Sequence, residues 1–237
     1  MKKTCIAIDG IPAVLWGDPA ERLFIAVHGN LSNKEDTVID LFAREAVEKG
    51  CQVLSFDLPE HGGRRGSAYA CTVQHGMADL TTVLRFARQK TQRLSLFGCS
   101  MGAYFSLLAF REVPFEQAFF LSPIVNMERL IRGMMVANNV SEERLKIEKE
   151  IPIANGPPLS WDYFEYVCSH PVDRWPIPTS ILYGSNDDLT DRVTLQCFVD
   201  QFHCQLEVLQ GGEHYFHTPE QLSAFRGWVR GGLFTVS

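Results

Sequence analysis

The chain has 237 residues, enough for one large α/β domain with a full hydrophobic core. Its net charge of −6 argues against nucleic acid as the main partner, because phosphate binding needs a basic footprint. Although 46% of its residues are hydrophobic, no run reaches the roughly 18 apolar residues of a membrane span.

From the N-terminus, Lys2 and Lys3 precede an apolar stretch that Asp9 interrupts after about five residues, too short for the core of a secretory signal. It reads as a strand, Thr4–Ile8, turned by Asp9-Gly10 into a second, Ala13–Trp16, so the sheet is expected to begin antiparallel. Further strands are predicted at Leu23–Val27, Gln52–Phe56, Leu94–Phe97, Gln117–Leu121, Thr179–Tyr183 and Cys204–Leu209. Helical patterns fill the gaps at Asp36–Glu48, Thr72–Arg88, Met101–Phe110, Asp191–Gln201 and Pro219–Val229. This alternation predicts a mostly parallel sheet with helices on both faces. The stretch 123–178 breaks it: no strand is expected there, only helical pieces at Asn126–Ala137, Ser141–Glu150 and Trp161–Cys168, separated by Ile151-Pro152 and Asn155-Gly156-Pro157-Pro158. An insertion of that length is expected to be functional, and it reads as a helical cap on a single domain spanning 1–237. The seven scattered cysteines, without C-x-x-C pairs, are the usage of a reducing compartment, so the expected location is cytoplasmic.

The segment Leu94 to Ala103 carries the most chemistry, as a strand, then Gly98-Cys99-Ser100-Met101-Gly102, then a helix. A G-x-S-x-G between strand and helix forms a sharp turn that lifts a serine hydroxyl clear of the sheet, beside N–H groups that favour negative charge. Ser100 is therefore the candidate nucleophile. Cys99, one position away, reads as a packed small residue. The strand Thr179–Tyr183 runs into Gly184-Ser185-Asn186-Asp187-Asp188, placing a carboxylate beyond the strand's carboxyl end, where open α/β sheets bind ligands. Asp187 is favoured by the G-x-x-D spacing, with Asp188 as competitor and helix capping as the alternative role. After the last strand comes Gly211-Gly212-Glu213-His214-Tyr215, which presents His214 as candidate base, with His217 the close rival. In this assignment neutral His214 takes the Ser100 proton and Asp187 fixes the imidazole. Acyl transfer also needs two N–H donors at the developing oxyanion. Met101 supplies one, and the loop His28-Gly29-Asn30-Leu31 the other, from Asn30 or next from Leu31, with His28 bracing the loop.

The set HGN (28–30), DLPEHGGR (57–64), GCSMG (98–102), YGSNDD (183–188) and GGEHYF (211–216) resembles single-domain esterases of the α/β-hydrolase fold. It is most similar to the carboxylesterase, cinnamoyl-esterase and monoacylglycerol-lipase-like group, whose insertion follows the sixth strand. The resemblance implies hydrolysis of small to medium carboxylic esters through an acyl-enzyme. A thioesterase or amide hydrolase would use the same triad, and a non-catalytic binding module on this fold is the third reading. GCSMGA replaces the commoner G-H-S-M-G-G, and Glu60 replaces the usual glycine before His61. Asp57 and His61 are assigned no catalytic role, because that loop is generally structural in the group. Met127, Leu130, Ile131, Met134 and Met135 recur at helical spacing in the insertion, followed by Trp161, Tyr163, Phe164, Tyr166 and Trp175. Most are expected to pack. Leu31, Ile131, Met134, Met135, Trp161, Phe164 and Tyr215 are the candidates for lining an apolar substrate pocket, while Arg64, Arg65 and Arg132 read as solvated, with contact to a charged substrate tail as the alternative. No cofactor or metal is expected, since no ligand cluster or phosphate loop appears. The expected partner is a small-molecule ester, and a homodimer is left open.

Overall fold

The computed structural model describes residues 1–154 and 156–233; Asn155, part of a predicted turn, lies outside them. In chain order the elements are β1 (Lys3–Ile8), β2 (Ile11–Trp16), β3 (Arg22–Val27), α1 (Thr37–Glu48), β4 (Gln52–Phe56), α2 (Val73–Arg88), β5 (Arg93–Cys99), α3 (Met101–Ala109) and β6 (Ala118–Leu121). There follow α4 (Met127–Ala137), α5 (Glu142–Glu148), β7 (Glu150–Ile151), β8 (Leu159–Ser160), α6 (Trp161–Ser169), β9 (Thr179–Gly184), α7 (Arg192–Phe202), β10 (Gln205–Leu209) and α8 (Pro219–Gly232).

One 8-stranded sheet has the order β1-β2-β4-β3-β5-β6-β9-β10. β2 pairs antiparallel with β1 and β4, and every other pairing is parallel. The β1–β2 turn puts both Asp9 (φ 48) and Gly10 (φ 85) in the left-handed region, which a two-residue hairpin of matching twist requires. Period-two alternation then sends side chains to opposite faces. Leu23, Ile25 and Val27 of β3 join the core under α2, α3 and the insertion, whereas Phe24 and Ala26 face α1 and α8. On the second face Phe42 of α1 stacks on Phe97 of β5 at 4.2 Å between centroids. Buried Glu45 ties α1 to α8, accepting from Arg226 Nε at 2.7 Å and from Arg230.

The insertion between β6 and β9 departs from the sequence reading in one respect. Besides its helices it contains an antiparallel ribbon, Glu150 opposite Ser160 and Ile151 opposite Leu159. Helix α5 stops short of the predicted Glu150 because Lys149 turns left-handed (φ 68) and its carbonyl accepts from Trp161 N at 2.8 Å. Among the described residues no helix is long and apolar enough to cross a membrane, and all seven cysteines are free.

Candidate active site

Ser100 occupies the turn between β5 and α3 with φ 50 and ψ −118, a sparsely populated conformation for a side-chain-bearing residue. Such strain costs of order 1–3 kcal/mol and persists only where the surroundings over-determine it. Here they do: Ser100 N donates to Leu121 O (3.1 Å), and Ser100 O accepts from Ala103 N (3.1 Å) and Ile124 N (3.3 Å). Close approach explains Gly102, where a Cβ would lie 2.3 Å from His28 O and 2.6 Å from Val27 O. Burial pushes the Cys99 thiol up to about 12, so it stays protonated beside the serine.

The loops after β9 and β10 bring two further groups to this turn. Ser100 Oγ lies 2.8 Å from His214 Nε2, across 114 residues of sequence. His214 Nδ1 lies 2.8 Å from Asp187 Oδ2, whose side chain is fully buried. A carboxylate only accepts, so Nδ1 carries the hydrogen and Nε2 is left to accept the Ser100 hydroxyl proton. The other oxygen, Asp187 Oδ1, accepts from Leu189 N and Thr190 N, each at 2.9 Å, which fixes the carboxylate plane. The two loops are tied to each other by Asn186 N donating to Gly212 O (2.8 Å) and Ser185 N donating to Leu209 O (2.9 Å). Asp188 is exposed, and the imidazole Nδ1 is taken by Asp187. The rival His217 turns its Nδ1 to Tyr215 O at 2.9 Å and stacks on the Tyr215 ring.

Met101 is the first residue of α3, so its N–H has no acceptor within the helix. The loop after β3 lies against the same turn, since a Cβ on Gly29 would sit 3.1 Å from Ser100 Cβ. His28 is wholly buried, and its Nε2 accepts from Leu58 N at 3.0 Å, which leaves Nδ1–H to donate to Gly29 O at 2.7 Å. Burial drives its pKa down to about 4, against the opposing pull of the Gly29 carbonyl, so the ring is neutral. Asp57, also fully buried, accepts from Lys34 N, Lys34 Nζ and Gly63 N, pinning the far end of this loop.

The pocket candidates divide. Ile131, Met135, Trp161 and Phe164 are buried in the core beneath the insertion. Leu31 and Tyr215 stand exposed, at 81% and 60%. Met134 lines a cleft of about 920 Å³ between α4 and the loop 187–191, together with Leu130, Gly133, Ala137, Leu189 and Thr190. The apolar side of α4 is one broad arc: Met127, Ile131 and Met135 are buried in the core, and its edge, Leu130 and Met134, packs partly on that core and partly lines the cleft, which Glu128, Arg129, Arg132, Asp188 and Asp191 also border. The apolar spacing of Leu130 and Met134 was the available signal for this edge of the helix; nothing in the sequence marked Leu189. Arg64, expected to be solvated, is instead largely buried, donating to Asp79 and to Asp57 O. Arg132 is paired with Glu128 and Glu142 over the Phe164 ring.

No family model matches the sequence, and no curated protein matches it. Solved structures do. The ferulic-acid complex of Est1E from Butyrivibrio proteoclasticus superposes with a TM-score of 0.79 at 21% identity, covering 96% of each chain. Alpha/beta hydrolase domain-containing protein 10 from mouse gives 0.77 at 13% identity over 98% of each chain. The chain has the α/β-hydrolase fold. A third example of this hydrolase fold, the a/b serine hydrolase XC6422 from Xanthomonas campestris, gives 0.70 at 17% identity over 98% of this chain and 94% of that one. On the hydrolase fold the loops after β3, β5, β9 and β10 are the ones that meet here, at the carboxyl ends of parallel strands.

Proposed function

We propose that the protein is a serine hydrolase that cleaves small to medium carboxylic esters through an acyl-enzyme, with Ser100, His214 and Asp187 as its triad. The observation that carries this reading is the unbroken hydrogen-bond chain from the Ser100 hydroxyl through His214 to buried Asp187, at 2.8 Å for each link. Ser100 Oγ would attack the ester carbonyl while His214 Nε2 takes its proton. Met101 N–H and the loop 30–31 would hold the oxyanion, and the imidazolium would return the proton to the departing alcohol. Water then repeats the sequence on the acyl-enzyme. No step requires a metal or cofactor. Est1E, whose structure contains ferulic acid, supports a carboxylic acyl group as one part of the substrate.

The cleft beside Asp187 is proposed to take the ester's apolar part, under α4 as a cap. It abuts the triad loop, its volume suits a small ligand, and Leu130, Met134 and Leu189 line it alongside the charged Glu128, Arg129, Arg132, Asp188 and Asp191. Free cysteines throughout the described residues support a cytoplasmic location. The test is hydrolysis of p-nitrophenyl acetate and butyrate, with thioester and anilide analogues alongside. Esterase activity that disappears in Ser100→Ala supports the proposal, and thioester or anilide turnover exceeding ester turnover would redirect it.

A further inference from the structure

The loop that meets Ser100 from β3 is held at one peptide unit from both sides. The carbonyl of Gly29 accepts from His28 Nδ1–H at 2.7 Å. Across a planar trans peptide, the N–H of Asn30 points opposite to that carbonyl, so fixing one fixes the other. The ring that does this is itself locked: Leu58 N–H donates to its other nitrogen, and burial keeps it neutral. The Asn30 backbone is thereby oriented from its amino side, while the next residue, Leu31, lies in the left-handed region with φ 59 and is 81% exposed. On that side the Asn30 side chain supplies the restraint. Its carboxamide lies against His61 Nε2, 3.0 Å from the Oδ1 position.

His61 is only 6% exposed and its Nδ1 lies 2.7 Å from Pro59 O, an acceptor, so Nδ1 carries a hydrogen. A neutral ring then accepts from the amide nitrogen of Asn30 turned toward it, and a charged ring donates to the amide oxygen; either way the carboxamide is held. Asp57 steadies the same stretch, accepting from Gly63 N at 2.8 Å and Lys34 Nζ at 2.7 Å. The two histidine rings pack 5.3 Å apart, one on the peptide carbonyl and one on the side chain that follows it.

We propose that His61, acting through the Asn30 carboxamide, is a positioning residue that aims the Asn30 N–H at the oxyanion. This rests on the serine-hydrolase reading and extends it, since it selects Asn30 over Leu31 as the second donor and gives the DLPEHGGR loop a part in the reaction. Removing an oxyanion donor outright typically costs about 100- to 1,000-fold in kcat, so loosening one is expected to cost about 10- to 100-fold. The interaction is made to the transition state, so KM should move little.

The experiment compares wild type, Asn30→Ala, His61→Ala, the double variant and His61→Gln on p-nitrophenyl butyrate, with active sites counted by fluorophosphonate labelling of Ser100. Asn30→Ala keeps the backbone N–H and changes an exposed residue, so it carries the test alone if His61→Ala does not fold. The expected result is a fall of about 10- to 100-fold in kcat for each single variant, KM within about threefold, and no further loss in the double variant, because both changes remove one interaction. His61→Gln should recover most of the activity. Single variants within twofold of wild type, or losses that multiply in the double variant, would overturn the inference while leaving the hydrolase reading intact. A wild-type protein that neither turns over ester nor labels at Ser100 would instead bring down the hydrolase reading, and this inference with it.

Discussion

Replacing Asp187 by Asn separates the chemistry of the triad from the architecture of its loop. Oδ1 accepts two backbone hydrogen bonds at 2.9 Å, from Leu189 and Thr190, and Oδ2 accepts one at 2.8 Å from His214. An asparagine can satisfy only one side with its oxygen. Turned with nitrogen toward the loop, it would set a donor against two donors; turned the other way, it meets only one. The second orientation wins, so the amide NH2 faces His214 Nδ1 and forces the imidazole into the tautomer with hydrogen on Nε2. That nitrogen can no longer accept from Ser100, and kcat is expected to fall about 10,000-fold. Both loop bonds survive, so the chemical-denaturation midpoint should barely change. Asp187→Ala behaves differently: it leaves Thr190 N–H unpaired in a buried position, at a cost of about 1–3 kcal/mol. The assay is p-nitrophenyl butyrate turnover per fluorophosphonate-labelled site, beside urea unfolding. A kcat for Asp187→Asn within tenfold of wild type would refute the tautomer assignment.

Other outcomes follow from the same geometry. Gly102→Ala drives a methyl into two backbone carbonyls at 2.3 and 2.6 Å, neither of which can yield, so unfolding stability should drop by about 3 kcal/mol; an unchanged urea midpoint would contradict the packing described. At Gly133 a Cβ meets nothing within 4 Å, so Gly133→Leu should leave the fold intact while filling the cleft. Turnover of p-nitrophenyl octanoate should then fall roughly tenfold relative to acetate, whereas parallel losses on both esters would place the apolar group elsewhere. Burial works to raise the Glu45 carboxyl, but the hydrogen bonds from Arg230 and Arg226 outweigh it and hold its pKa below the ordinary glutamate value. A carboxyl depressed in the folded state stabilises fully above its unfolded pKa and loses that contribution as pH falls through the folded one. Since the arginines are about half exposed, this is worth about 1 kcal/mol; urea titrations at pH 7 and pH 3 should show the acid loss shrinking in Glu45→Gln, and an identical loss would refute it.

Much of the architecture was readable because the inner strands of the sheet obey one rule. Residues such as Leu23 to Val27 alternate between two buried faces and are closed off by turn-forming residues, and these are local properties. The elbow was legible for the same reason, with Gly98, Ser100 and Gly102 bound to one short stretch whose neighbours are a strand and a helix. The ribbon of Glu150–Ile151 with Leu159–Ser160 was not legible, because two-residue strands carry no periodicity and exist through the left-handed Lys149 and its carbonyl bond to Trp161. The cleft was not legible for another reason: the apolar arc of α4 is broad, and which of its residues are sealed in the core and which border a cleft depends on packing against the sheet, not on spacing within the helix. Arg64 reads as a surface cation until the fold brings Asp79 of α2 to it. The Asn30–His61 contact joins loops 31 residues apart, and neither motif alone announces it.

Everything in this chemistry depends on Ser100 being a nucleophile that His214 can deprotonate. Incubation with a fluorophosphonate, followed by peptide mapping, should place a single adduct on Ser100, abolished in Ser100→Ala and strongly slowed in His214→Ala. Labelling that persists in the Ser100→Ala protein, or maps to another side chain, would contradict it.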